Sequence, residues 1–220
     1  MHVKCNSLQV IDARITLVLS GVWAADLSCH ATEAITGAAQ ITIAESIVLN
    51  GTIMTPAADQ IVNDRAQLRI LGGAGKLQTS IAGKAYYSVP ARIVLADMLA
   101  SIGETLDPTS DAAALNTMLG HWCIAAGKAQ TELGILLTRL SVSWRVTPAG
   151  LVWIGTDTWP ESALAEGDYT VMEDDPRTGI VRISSDVPTI YPGETWREKR
   201  VQTVTHQLTG PTLRTEVALA

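Results

Sequence analysis

The feature that most constrains this chain is a change of hydrophobic period between Val89 and Gly155. Before and after that stretch, apolar residues alternate with polar ones, the two-residue period of half-buried strands. Inside it, Ile93, Val94, Met98 and Leu99 recur at helical spacing, with Leu95 beside them. Pro90 suits a first helical turn and Gly103 ends the helix. Ser110 or Asp111 can cap a second predicted helix, with Leu115, Met118, Leu119 and Trp122 as its apolar face and Gly127 as its stop. A third begins near Thr131 and carries Leu133, Leu136, Leu137 and Leu140. Two short apolar strands then flank Pro148-Ala149-Gly150, which reads as a hairpin. The expected fold is mainly β with a helical insertion (α+β). Two small antiparallel β-barrel or sandwich units, residues 1–85 and 143–220, flank a helical block, residues 86–142.

Strand signals fill the first 80 or so residues. Leu8 and Val10, then Ala13, Ile15, Leu17 and Leu19, point to one face of a strand over residues 7–20. "SGVW" reads as a turn and Val22 as the start of the next strand. Gly37 marks a turn, Ile41 and Ile43 alternate with Thr42, and Asn50-Gly51 reads as a hairpin turn. A strand over Leu68–Leu71 ends in a glycine-rich turn. Near the C-terminus, strands surround "EDDPRTG", and two more are joined by "LTGPT". Val201, Val204 and His206 break strict alternation, so a bulge is expected near Thr203.

The 220 residues are 47% hydrophobic and 17% charged. That is ample core material and few charges for a free monomer. Either much of the surface meets other protein, or the chain is a compact Ala-rich domain. A net charge of −6 argues against general nucleic-acid binding. The one basic cluster, Arg197, Lys199 and Arg200, is interrupted by Glu198 and reads as a solvated strand end. No apolar run reaches the ~20 residues of a membrane span. The N-terminus reads as the first strands and not as a targeting segment, because Asp12 and Arg14 break its apolar part. Cys5, Cys29 and Cys123 lack CxxC spacing and are expected as free thiols, although Cys5 and Cys29 would approach one another if their strands pair. Phe is absent, while three of six Trp fall within Trp144 to Trp159. That cluster reads as a local core beneath the helices, or as an exposed aromatic platform.

Candidate chemistry is sparse. Gly72, Gly73 and Gly75 precede Lys76, but Leu77 follows where a phosphate loop needs Ser or Thr. A tight turn is the expected role. Glu173, Asp174 and Asp175 lack calcium-loop spacing and read as a solvated turn. Glu104 and Asp107 flank a loop without a matching second pair. His121 and Cys123, two apart on a predicted helix, should point away from each other. No catalytic, cofactor-binding or metal-ligating residue is assigned, and the chain is read as a non-enzyme without a cofactor.

The order of elements resembles the tail hub and baseplate hub proteins of bacteriophages, including late-control proteins and the spike proteins of type VI secretion. "SVSWRVTPAGLVWIG" carries the likeness through Trp144, Val146, Gly150, Val152 and Ile154. The C-terminal strand carries it through Val201, Val204 and His206. The resemblance implies a homotrimer of two-barrel subunits in the virion tail, assembled in the host cytoplasm. It also implies tail tube and spike proteins as partners. A second reading is a carbohydrate- or cell-wall-binding module with Trp153 and Trp159 as the platform. Its weaker variant is a cell-wall hydrolase, for which Glu104 is the carboxylate to test first.

Overall fold

Six short strands close a barrel in the first third of the chain. The computed structural model describes residues 3–62 and 64–220. Strands β1 (Val3–Cys5), β2 (Leu8–Val18), β3 (Ala24–His30), β4 (Ala38–Ile43), β5 (Ile47–Ile53), the short β6 (Ile61–Val62) and β7 (Arg65–Gly72) come first. Antiparallel pairing runs β1-β4-β5-β7-β3-β2 and returns from β2 to β1, so the ring has no free edge; β6 adds to β7 outside it. Closure removes the exposed edges that invite aggregation. Aliphatic side chains fill the interior: Ile15, Ile41, Ile43, Ile47, Leu49 and Ile70 are fully buried. A six-stranded ring leaves room for side chains alone.

β2 is longer than its barrel requires. Its first residues, Leu8 and Gln9, pair with β1, while Asp12 to Val18 pair with β17 along the same edge. A bulge between Val10 and Asp12 shifts the inward phase, from Val10 to Ala13, Ile15 and Leu17. This is the physical reason the sequence alternates in two phases across that strand.

The middle of the chain holds β8 (Ser80–Ile81), β9 (Lys84–Pro90), α1 (Ala91–Ser101), α2 (Ala112–Leu115), β10 (Met118–Ile124), β11 (Gly127–Lys128), α3 (Ala129–Leu140), β12 (Ser143–Val146) and β13 (Val152–Gly155). α1 follows Pro90 in extended conformation, and Gly103 at φ +78° lies just past its end, as the sequence predicts. α3 buries Leu133, Leu136 and Leu137, again as predicted. The second helix is a correction. Asp111 does cap it, accepting from the Ala113 amide at 2.8 Å, but it stops after four residues at Leu115. Met118 to Ile124 instead form a strand that pairs with β9, burying Leu119 and Ile124. The ladder to β9 supplies the backbone partners that a helix would have supplied internally.

The remaining strands are β14 (Tyr169–Asp175), β15 (Ile180–Ser185), β16 (Thr195–Trp196), β17 (Lys199–Thr209) and β18 (Thr212–Leu219). The expected bulge is present, between Val201 and Thr203. β17 pairs with β2, and the order continues β17-β18-β15-β14. Among the described residues, the strands after residue 143 close no ring of their own; four of them extend the barrel's sheet through β2. Strands take 49% of the chain and helices 14%, so the class is mainly β, with one closed barrel.

Two local expectations fail here. Asn50-Gly51 lies inside β5 and not at a turn; the turn is at Ala44 and Glu45, both at positive φ. A Cβ on Gly51 would lie 2.3 Å from the Leu71 carbonyl oxygen of the paired strand β7, and 2.8 Å from the ring of Trp23, just before β3; one on Gly72 would lie 2.5 Å from the Trp23 Nε1. The indole fills the space of two missing side chains and donates to the Thr147 carbonyl at 3.2 Å. β3 starts at Ala24, two residues later than expected.

Candidate functional site: a polar sheet face and the cleft beside it

The strand register places polar residues in rows across seven neighbouring strands, β14-β15-β18-β17-β2-β3-β7. One row reads Glu173, Arg182, Glu216, Thr205, Thr16, Ala24 and Leu71. The next reads Arg214, Gln207, Arg14, Asp26 and Arg69. A third runs Thr212, Thr209, Asp12, Ser28 and Gln67. β15, β18, β17, β2, β3 and β7 turn most of their apolar residues into the core and most of their polar ones onto this face, while β14, at the edge, buries none of its residues. Neighbouring side chains bind across the strands: Arg182 Nε donates to Glu216 at 2.9 Å and Arg182 also pairs with Glu173. Arg69 pairs with Asp26, Gln67 donates to Ser28 at 3.1 Å, and the Thr16 and Thr205 hydroxyls lie 3.4 Å apart. Shallow grooves cross the face, and the largest, about 540 Å³, lies between Asp12, Arg14, Asp26, Gln67 and Gln207. No aromatic side chain stands in these rows. Single-residue alternation announces each strand, but only the pairing register assembles the face.

A deeper cleft of about 460 Å³ opens where the barrel meets the β12–β13 hairpin and the loops at 156–160 and 191–194. The hairpin docks through the barrel's own backbone: Gly21 donates to the Trp144 carbonyl, Val146 to that of Gly21, and Asn50 to that of Pro148. Arg145 occupies the cleft. Its guanidinium lies 4.1 Å from the centre of the Trp153 ring and pairs with Asp157 at 2.5 Å. Gly193, at φ +94°, leaves the space that this guanidinium uses. Burial pushes the Glu194 carboxyl up from its ordinary value, and its Oε2 accepts from the Tyr191 amide at 3.0 Å. Burial also raises the Tyr191 phenol. The ionisable groups here hold each other and the loops in place.

The residues singled out from sequence are mostly tied to the scaffold. Glu104 is buried, and its two oxygens accept from the Ala74 and Lys76 amides at 3.0 and 2.9 Å. It therefore seats the glycine-rich turn, which is a turn as expected, with Gly73 and Gly75 at positive φ. Asp107 caps Thr109. Glu173 pairs with Arg182, Asp174 with Arg197 at 2.8 Å, and Asp175 accepts from the Arg177 amide at 3.0 Å. Trp153 and Trp159 are half-buried, with Arg145 over one ring and Arg200 over the other. They form no bare platform. Trp144 is buried, but Trp153 borders the cleft and so is not simply core beneath the helices.

His121 and Cys123 are a second correction. They lie on strand β10, where a spacing of two puts both on one face, and Sγ is 3.3 Å from Nε2. His121 also stacks on Tyr87 at 4.7 Å. Cys5 and Cys29 are buried free thiols, pushed up to about 11 and about 12, by burial first and, for Cys29, then by Cys5 nearby. Among the described residues, no three His, Cys, Asp or Glu side chains cluster to hold a metal, and no helix is long and apolar enough to cross a membrane. Sequence reasoning named His206 only in the lapse of alternation near Thr203 and in the resemblance. It is fully buried, its Nδ1 lies 2.9 Å from the Thr215 hydroxyl, and its Nε2 has no partner among the described residues.

No family model matches the sequence, and no curated protein matches it. Solved structures do match across the whole chain. A 43 kDa tail protein of prophage MuSo2 from Shewanella oneidensis superposes with a TM-score of 0.72 at 9% identity, covering 100% of this chain and 98% of that one. The fold is that of phage tail proteins. A component of the E. coli type VI secretion system, described as similar to the T4 bacteriophage tail proteins gp27 and gp5, gives 0.70 at 11% identity, covering 100% of this chain and 77% of that one. The tail protein of Neisseria meningitidis MC58 gives 0.69 at 12% identity, covering 99% and 95%. These are the proteins that the sequence resemblance points to.

Proposed function

We propose that this chain is a structural subunit of a phage tail tip or baseplate, a hub between the tail tube and the central spike. The observation that carries the reading is the continuous polar face of seven strands, in a fold shared with phage tail proteins. A sheet face that is polar over most of its width suits an exposed wall and not a packing layer. Glu104, the carboxylate to test first in the hydrolase reading, is engaged by the Ala74 and Lys76 amides, which favours a scaffold over an enzyme.

In this reading the virion tail is the site of residence, with assembly in the host cytoplasm. The chain forms a homotrimer that presents one end to the tube protein and the other to the spike. Residues 1–85, 86–142 and 143–220 act as three units of the subunit. Large exposed apolar side chains on the middle unit, Tyr87 (68% exposed), Met118 (62%) and Ile135 (52%), are natural material for contact between subunits. Sedimentation and native mass spectrometry of the purified 23.4 kDa chain test this. A trimer, with or without the tube and spike proteins added, is the expected result. A chain that stays monomeric at high concentration, and binds neither partner when mixed, refutes it.

A further inference from the structure

The ribbon of β9 and β10 carries two exposed side chains that the hub reading leaves unused. His121 and Cys123 lie two apart on β10, so both stand on one face of it. Cys123 Sγ is 3.3 Å from His121 Nε2, the outer nitrogen of the ring. Tyr87, the register partner of His121 on β9, holds that ring in place: the two stack with centres 4.7 Å apart and 9° between their planes. Ala85 stands opposite Cys123, so no bulky or charged side chain crowds the thiol from the paired position. Cys5 and Cys29 are buried, with their thiols pushed up to about 11 and about 12. Cys123 is the one cysteine open to solvent.

We propose that His121 and Cys123 form a two-point chelate for a tetrahedral, thiolate-binding divalent cation of the zinc class. A zinc ion bound to sulfur at about 2.3 Å and to a ring nitrogen at about 2.0 Å holds those two atoms about 3.5 Å apart. Sγ and Nε2 already stand close to that separation. Thiolate with imidazole favours zinc over calcium or magnesium, which take oxygen ligands. Among the described residues no third His, Cys, Asp or Glu joins the pair, so water fills the two remaining positions. Binding releases the thiol proton to solvent and leaves sulfur as the thiolate ligand beside a neutral imidazole, so affinity rises with pH. A plain S–H···N hydrogen bond would make the same contact with no response to metal, and the experiment separates the two.

The test uses the intact, reduced chain with cobalt(II) as the coloured stand-in for zinc. A thiolate-to-cobalt charge-transfer band should appear on titration, saturate at micromolar metal, and vanish when zinc is added. Cys123→Ser and His121→Gln should each weaken binding at least about tenfold, the scale on which even indirect partners of a bound metal act. His30→Gln removes an exposed imidazole from another strand and should leave the affinity unchanged. Both ligands are on the surface, and circular dichroism confirms that the variants fold. Alkylating Cys123 in the native protein should abolish the band without any substitution. No band at millimolar cobalt, a band that survives either substitution unweakened, or a band that survives alkylation each overturns the proposal. The oligomeric state, on which the hub reading is tested, is a separate measurement, so either reading can fail without the other.

Discussion

Acidification should destabilise this protein before most of its carboxylates protonate, and His206 is the cause. The ring is enclosed on the core side of β17, between its register partners Ile15 and Thr215, with Val204 and Leu208 on the same face of the strand. Burial lowers its pKa from 6.5 to about 4, so the native state keeps it neutral. The unfolded chain binds a proton near pH 6.5, whereas the folded one binds none until about pH 4. The unfolded state therefore carries more protons in that window, and stability falls as pH falls through it. Each pH step costs about 1.4 kcal/mol, so about 3 kcal/mol is lost by pH 4. The loss is complete below the folded value and absent above 6.5. Urea denaturation followed by Trp fluorescence, at intervals from pH 7.5 to 4.5, measures it. His206→Leu should be much flatter with pH, whatever its stability at pH 7.5. Identical pH slopes for the two proteins, or a native His206 resonance that titrates near 6.5, would refute the argument.

Gly72→Ala drives a Cβ to within 2.5 Å of the Trp23 indole and should cost about 1–3 kcal/mol; Trp23→Leu should relieve part of that cost in a double-mutant cycle, and strict additivity counts against the wedge. Glu104→Gln leaves one of the Ala74 and Lys76 amides facing a donor, so a loss of about 1–3 kcal/mol is expected, read as a lower melting temperature. Native protein should react with a thiol reagent at Cys123 alone, the exposed cysteine, and at all three positions only after denaturation; fast native labelling of Cys5 or Cys29 contradicts their burial.

Local signals carried the parts of the fold that local physics decides. Pro90 and Gly103 bound α1, the leucines of α3 keep one stripe, Pro148-Ala149-Gly150 turns a hairpin, and the lapse in alternation at Val201 and Thr203 is a bulge. The errors arise where a residue's reason lies far along the chain. Gly72 answers to Trp23, Gly51 to the Leu71 carbonyl and Trp23 together, and Glu104 to an amide pair some thirty residues earlier. The turns at Ala44-Glu45 and Arg197-Glu198 use positive φ without glycine, so composition does not announce them. Leu115, Met118, Leu119 and Trp122 fit a helical stripe, yet tertiary pairing with β9 turns all but the first into a strand. The polar face is the clearest case. Its residues alternate legibly in each strand, but the placing of Arg14 and Arg214 about Gln207 depends on a register between residues roughly two hundred positions apart.

β2 belongs to two structures at once. Its opening residues seal the ring with β1, and the rest carries β17 along the same edge. A pull on the C-terminal strands therefore reaches the barrel through a row of amide bonds stressed in parallel, which yield together and not one by one. The joint between the barrel and the C-terminal strands thus has no hinge in it.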